Sequence, residues 1–242
     1  MRLTWFGHST VLVELDGVRM LTDPVLRQRV LHLRRRAAVD PEELGRVDAV
    51  VVSHGHWDHF DVGSLSLLGR SARAVVPRGL GGVLRRRGWP DVVEVDEGEL
   101  VPIGELSVRA TPARHGDARR LFASRSKALG YLIAGSRRVY FAGDTDLFAG
   151  MADLAPVDVA LLPVWGWGPR LPAGHLDPRR AAEALRLVRP RVAVPIHWGT
   201  FTPWRAQASD RRPVEAFAGA AADLAPQVEV IVPRLGEAFE IS

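Results

Sequence analysis

The chain has 242 residues, 47% of them apolar, enough to bury one sizeable core; no linker, low-complexity tract or short-period repeat divides it, so residues 1–242 are expected to form a single domain. It contains no cysteine, which excludes disulfides and thiolate ligands, and Met1 runs into a strand-like stretch with neither a charged leader nor a long apolar span, which points to a cytoplasmic protein with no membrane insertion. The formal charge is only +4, and Lys127 is the one lysine among 32 basic residues, an arginine bias that does not amount to a nucleic-acid-binding face.

Residues 2–6, 9–15 and 18–22 read as strands, the last two joined through the hairpin signal Asp16-Gly17. His8 and Asp23 then stand at strand ends, where each either faces a site or caps a turn; Asp23 is suited to orient a histidine. Residues 25–46 have no clear period and read as a loop or short helical insertion. Arg27, Arg29, Arg34, Arg35 and Arg36 cluster there with no acid among them, either to capture an anion or as a solvated basic face, and Arg85-Arg86-Arg87 form a second group.

The β-branched run in residues 48–53 reads as a strand buried on both faces, a rigid base from which to project ligands. It stops in His54-Gly55-His56-Trp57-Asp58-His59, which holds three of the chain's eight histidines and a carboxylate. Imidazole and carboxylate suit borderline divalent ions such as Zn(II), and four such side chains so close in sequence splay apart, so two ions are expected here in preference to one.

Val62–Leu68 then reads as a short helix, Ala74–Pro77 as a strand, Leu80–Arg87 as a helix ended by Gly88, and Val92–Val95 as a strand, an α/β alternation. Leu106–Thr111 alternates like a half-buried strand and delivers His115. Leu129–Ala134 and Arg138–Phe141 form a hairpin about Gly135-Ser136, and its second strand runs into Gly143-Asp144-Thr145, where a carboxylate could bridge two ions. After the strand Val157–Pro163, Trp165 and Trp167 either line an apolar groove or cover the core. Asp177-Pro178 is a helix start that continues through Ala181, Ala182, Leu185 and Val188, and His175 stands just before it, placed to point into a pocket. The strand Arg191–Pro195 delivers His197; a helix over 213–224 and strands at Glu229–Val232 and Glu237–Ile241 close the chain.

In order and spacing, His54-x-His56-x-Asp58-His59, His115, Gly143-Asp144-Thr145 and His197 resemble the metal-binding pattern of the metallo-β-lactamase-fold hydrolases over nearly the full chain. Trp5-Phe6-Gly7-His8-Ser9-Thr10, Leu21-Thr22-Asp23-Pro24, Gly174-His175-Leu176-Asp177-Pro178 and Ile196-His197-Trp198-Gly199-Thr200-Phe201 narrow the likeness to two groups. These are the N-acylphosphatidylethanolamine phospholipase D group, closer in motif wording, and the ascorbate-6-phosphate lactonase group. The resemblance implies an αββα sandwich of two mixed sheets with helices outside and the ligands at strand ends along one edge. It implies His54, His56 and His115 on one ion and Asp58, His59 and His197 on the other, with Asp144 bridging and an open position at each. It also points to Asp58 and His175 as catalytic, His175 acting on substrate. Zn(II) is the expected metal, with Mn(II) and Fe(II) compatible with the same ligands.

Two such ions about 3.5–4 Å apart bring the pKa of a shared water near neutrality, so attack by a metal-bound hydroxide is the expected chemistry. With no cysteine and no nucleophile-elbow serine, an acyl-enzyme is not expected. Three readings follow: hydrolysis of a phosphodiester in a soluble anionic small molecule, opening of a lactone, and a metal-binding scaffold or sensor with little turnover. The first is adopted as the expectation.

Overall fold

Side-chain alternation sorts the layers. Val11, Val13, Ala49 and Val51 are buried in the large core between two sheets, while their neighbours Leu12, Val50 and Val52 are buried in a second core beneath short helices. A strand placed this way is apolar on both faces, as the valine run requires.

The computed structural model describes residues 1–116, 126–203 and 211–242. In chain order its strands are β1 (Arg2–Gly7), β2 (Thr10–Leu15), β3 (Val18–Thr22), β4 (Arg29–Val30), β5 (Leu33–Arg35), β6 (Ala49–Val51), β7 (Arg73–Pro77), β8 (Val92–Val95) and β9 (Leu100–Ile103). They continue with β10 (Leu106–Pro112), β11 (Leu129–Ala134), β12 (Arg138–Phe141), β13 (Val157–Pro163), β14 (Pro190–Ile196), β15 (Phe201–Pro203), β16 (Glu229–Val230) and β17 (Ala238–Glu240). The helices are α1 (Val62–Leu67), α2 (Gly81–Arg86), α3 (Pro178–Val188) and α4 (Arg212–Leu224).

Among the described residues, one sheet runs β17-β1-β2-β3-β6-β7-β8 and the other β16-β14-β13-β12-β11-β10-β9. Both are mixed in the same way. The pairs along β17-β1-β2-β3 and β9-β10-β11-β12 are antiparallel, and those along β3-β6-β7-β8 and β12-β13-β14-β16 are parallel. An internal pseudo-duplication that cannot be read in the residues is therefore plain in the pairing. The fold is the expected α/β architecture of two mixed sheets, with Ala181, Leu185 and Val188 of α3 and Phe217 of α4 packed into the large core.

Local signals act where the sequence places them. Asp16 and Gly17 both take positive φ (49° and 78°), the two-residue turn that matches strand twist. Asp61 and Asp177 cap α1 and α3 by accepting from the N–H of Ser64 and Arg180. The segment 25–46 departs from expectation. It forms β4, β5 and a 3-10 turn at Pro41–Leu44, and β5 pairs with β15 in a third, three-stranded sheet. Strands of two or three residues carry no measurable period, and β15 is remote in sequence, so neither could be read locally.

Candidate metal centre

Apart from His175, which stands just before α3, each histidine and carboxylate of the site follows a strand. His8 lies in the β1–β2 turn, Asp23 just after β3, His54 to His59 after β6, His115 after β10, Asp144 after β12, and His197 after β14. His8, Asp23 and His197 hold positive φ (53°, 30° and 63°), a strained backbone for residues other than glycine that persists only where surrounding contacts over-determine it. Those contacts are specific. The His8 N–H donates to Thr200 Oγ1 at 2.6 Å, the His197 N–H donates to the His8 carbonyl at 2.8 Å, and the Asp23 N–H donates to the Val51 carbonyl at 2.9 Å.

The donor atoms gather in groups. His54 Nε2 lies 2.8 Å from His56 Nδ1, which is 3.1 Å from His115 Nε2. His59 Nε2 is 3.1 Å from His197 Nε2, and the two face Asp144 at 3.2 Å from Oδ2 and Oδ1 respectively. Asp58 Oδ2 stands 4.0 Å from His59 Nε2 and 3.5 Å from His8 Nε2, so His8, Asp58, His59 and His197 form a second cluster of four. His175 Nε2 reaches Asp144 Oδ2 at 3.3 Å.

The far side of most rings is fixed by a hydrogen bond. His115 Nδ1 donates to the Gly174 carbonyl at 2.9 Å, His197 Nδ1 to the Trp165 carbonyl at 2.8 Å, and His59 Nδ1 to Asp23 Oδ2 at 2.7 Å. His54 Nδ1 donates to Ser53 Oγ at 2.9 Å, whose own proton goes to Asp23 Oδ2 at 2.6 Å. These bonds put the proton on Nδ1 and turn the lone pair of Nε2 inward. Lone pairs of His59 and His197 facing each other at 3.1 Å repel unless a metal ion or a proton sits between them; burial works against a charged His59, but Asp144 and Asp23 prevail and hold its imidazole well above its ordinary value, so the position favours positive charge. His8 Nε2 and Asp144 Oδ1 are buried with no hydrogen bond, the 3.2 Å contact of Asp144 Oδ1 with His197 being an ion-pair distance without hydrogen-bond alignment. The residues present thus fit divalent metal: neutral nitrogens and carboxylates converge, and the orphaned atoms point into the gap.

Protonation follows the same logic. Burial holds the His54 imidazole well below its ordinary value and brings His56 down to about 4 and His8 to about 3, in His8 with help from the neighbouring His197. Burial pushes the Asp144 carboxyl up, but His197, His59 and His175 around it prevail and keep it well down and ionised. Neutral imidazole and ionised carboxylate are the metal-ligating forms.

The cavity against this cluster is lined by His56, Asp58, Asp144 and His197 on its floor, and by Gly166, Trp167, Arg170, Pro172 and His175 on its wall. Trp167 is part of that wall and donates from Nε1 to Asp58 Oδ2 at 2.9 Å. Trp165 is not; it packs against the core and holds His197 through its carbonyl. None of the five arginines in 27–36 reaches the wall. Arg27 is paired to Asp61 through Nε at 2.7 Å, and Arg35 is fully buried. Among the described residues Arg170 is the arginine that lines the cavity; its position in the Trp-Gly-Pro loop five residues before His175 was the available signal. Ser53 and Thr200 were also missed, because a hydroxyl in a hydrogen-bond relay leaves no spacing signature.

Residues 18–198 match a family model described as a β-lactamase superfamily domain. A UPF0173 metal-dependent hydrolase of Methanopyrus kandleri is 33% identical over 99% of this chain and 100% of that protein. The N-acyl-phosphatidylethanolamine-hydrolyzing phospholipase D 1 of Caenorhabditis elegans is 34% identical over 82% of this chain and 64% of that protein. The solved structure of Igni18, a metallo hydrolase from the archaeon Ignicoccus hospitalis, superposes with a TM-score of 0.74 at 30% identity, covering 100% of this chain and 99% of that one. The chain belongs to the β-lactamase superfamily and is a metal-dependent hydrolase of the metallo-β-lactamase fold. Among the described residues no helix is long and apolar enough to cross a membrane.

Proposed function

We propose that the site takes two divalent ions, Zn(II) first, and hydrolyses a phosphodiester in a soluble anionic small molecule, with residues 1–242 serving as one domain. One observation carries the reading: the donor atoms gather in overlapping groups, of which His54, His56 and His115 make one and His8, Asp58, His59 and His197 another, and Asp144 presents one oxygen toward His59 and His175 and the other toward His197. One ion with an open position cannot use them all.

In this reading His54, His56 and His115 hold one ion, and Asp58, His59 and His197 the other, with Asp144 between. Bound divalent ions supply a water that ionises near neutral pH and a Lewis acid for the ester oxygen. Asp23 fixes the tautomers of His59 and, through Ser53, of His54. Trp167 occupies one lone pair of Asp58 Oδ2, so that the carboxylate keeps a single direction. His175, with Nδ1 held 3.1 Å from the Pro172 carbonyl, keeps Nε2 aimed into the cavity, where it donates a hydrogen bond or proton to the leaving oxygen. Arg170 meets the phosphate charge at the wall. The phospholipase D relative, which by its name cleaves a phosphodiester, supports this choice over a lactone.

The test is turnover by protein loaded with Zn(II) or Mn(II). Hydrolysis of bis(p-nitrophenyl) phosphate is expected. Turnover of lactones alone would move the assignment to ring opening, and metal uptake with no turnover of either would leave a binding protein. Elemental analysis after supplementation is expected to give two ions per chain; one or fewer contradicts the dinuclear reading.

A further inference from the structure

Arg35 is the largest fully buried side chain of the described residues, and its only resolved influence is burial, which brings its pKa down to about 10. No carboxylate compensates it among the described residues. Its Nη1 donates to the Phe6 carbonyl and its Nη2 to the Val25 carbonyl at 2.5 Å, while Nε has no partner. A buried guanidinium left without a counter-ion is costly and is rarely kept for stability alone.

The two carbonyls show what it does. Phe6 lies two residues before His8, and Val25 two residues after Asp23. Arg35 therefore ties together the ends of β1 and β3, the two segments that carry the strained backbones of His8 and Asp23. Thr200, whose carbonyl accepts from the Arg36 N–H at 3.0 Å, accepts the His8 N–H through its hydroxyl. Gly7 is squeezed into this junction: a Cβ there would lie 2.9 Å from Arg35 Nη1 and 2.7 Å from Thr200 Cγ2. The Phe201 ring closes the other side, 5.4 Å from the guanidinium carbon.

We propose that Arg35 is a positioning residue for the metal centre, clamping the His8 and Asp23 segments so that the His59 and His197 donors stay in register, with less hold on His54, His56 and His115. The clamp works on the second group twice. His8 anchors the His197 backbone, and Asp23 anchors the His59 ring directly, whereas the His54 ring is reached at one remove, through Ser53, whose N–H and hydroxyl both donate to Asp23, and His115 hangs from Gly174. The inference rests on the two-ion reading given above.

The test is calorimetric Zn(II) titration of Arg35→Met in two backgrounds, His115→Ala, which spares the His59–His197 position, and His197→Ala, which spares the other. Affinity is expected to fall tenfold or more in the first and less than threefold in the second, within the range for outer-shell support of metal ligands. Arg35→Lys is expected not to rescue, because one ammonium cannot span both carbonyls. Equal losses in the two backgrounds, or a lowered Tm of metal-free protein with unchanged affinities, would overturn the assignment in favour of a general structural role. If Arg35→Met does not fold, Gln28→Ala, which removes the 2.7 Å bond from Gln28 Nε2 to the Arg35 carbonyl and leaves the guanidinium in place, must give the same asymmetry or the assignment falls. Wild-type protein that binds a single equivalent fails the two-ion reading instead, and Arg35 is then judged on whether that one equivalent weakens in Arg35→Met.

Discussion

Asp23 accepts a hydrogen bond from His59 Nδ1 at 2.7 Å, both side chains fully buried, and the same carboxylate oxygen receives the Ser53 hydroxyl at 2.6 Å. Since Ser53 in turn accepts from His54, one carboxylate orients a histidine of each donor group. Asp23→Asn keeps the shape but weakens the acceptor and disturbs the tautomers it fixes. Zn(II) affinity is expected to drop about 10- to 100-fold, with both positions affected. Competition with a chromogenic chelator measures it; unchanged affinity would reduce Asp23 to a turn residue.

Asp144 is the hinge of the two-ion reading, with His59, His197 and His175 all within 3.3 Å of its oxygens. Asp144→Ala removes the carboxylate proposed to bridge the two ions and would leave cations facing each other. Metal content and hydrolysis are expected to fall together. Full metal content in the variant would contradict the bridge.

His175 meets Asp144 through Nε2 at 3.3 Å and packs edge-on against the His115 ring, 4.6 Å between centroids, but it lines the cavity from the loop before α3 and not from the end of a strand. His175→Asn should therefore leave metal content and Tm unchanged and lower kcat by on the order of 10²-fold, with a smaller change in KM. Loss of metal in this variant would make His175 a ligand.

The site was more legible than the framework around it. Most candidate ligand segments sit where apolar strands end, and a strand such as Val157–Pro163 announces itself through its apolar run. His115, Asp144 and His197 stand out as candidates because each follows a strand that the sequence pattern also marks, β10, β12 and β14. What the sequence hid has a common cause, contact between segments far apart. The pairing of β5 with β15 joins residues more than 160 positions apart. The Arg35 clamp is main-chain recognition by a side chain that in sequence looks like one more surface arginine. The sheets' shared pairing order is likewise a property of backbone topology, which two diverged halves keep without keeping residues.

Away from the metal, Glu94 gives a pH-dependent prediction. Burial pulls its carboxyl upward, but hydrogen bonds from Arg85 and from the N–H groups of Gly79 and Gly81 outweigh that and hold it below its ordinary value of 4.5. A depressed carboxyl stabilises the fold above its unfolded value, and the contribution disappears as pH falls through the folded value. The carboxylate is half-buried but its partner Arg85 is exposed, so solvent screens the pair and the effect is small. Glu94→Gln is expected to lower Tm by about 2 °C at pH 7, with the difference from wild type vanishing in acid. A difference that stays constant down to pH 3 would show that packing, not charge, is responsible.

The arginines separate sequence density from placement. Residues 27–36 hold the densest basic cluster, yet Arg27 is neutralised by Asp61, Arg35 is buried in main-chain contacts, and the cavity wall carries Arg170 instead. Electrostatic capture depends on where a charge meets the substrate, since exposed charges beyond a Debye length of about 8 Å at physiological salt are screened. Replacing Arg34, Arg35 and Arg36 together would confuse steering with loss of the Arg35 clamp, so the clean comparison is Arg170→Gln against the double variant Arg34→Gln, Arg36→Gln. For an anionic phosphodiester, Arg170→Gln is expected to raise KM roughly tenfold, the scale of one lost hydrogen bond to a charged group, and to flatten the dependence of kcat/KM on ionic strength. The double variant should leave both nearly unchanged. If instead the double variant flattens the salt dependence and Arg170→Gln does not, the substrate approaches over the β4–β5 face, and the role given to Arg170 is wrong.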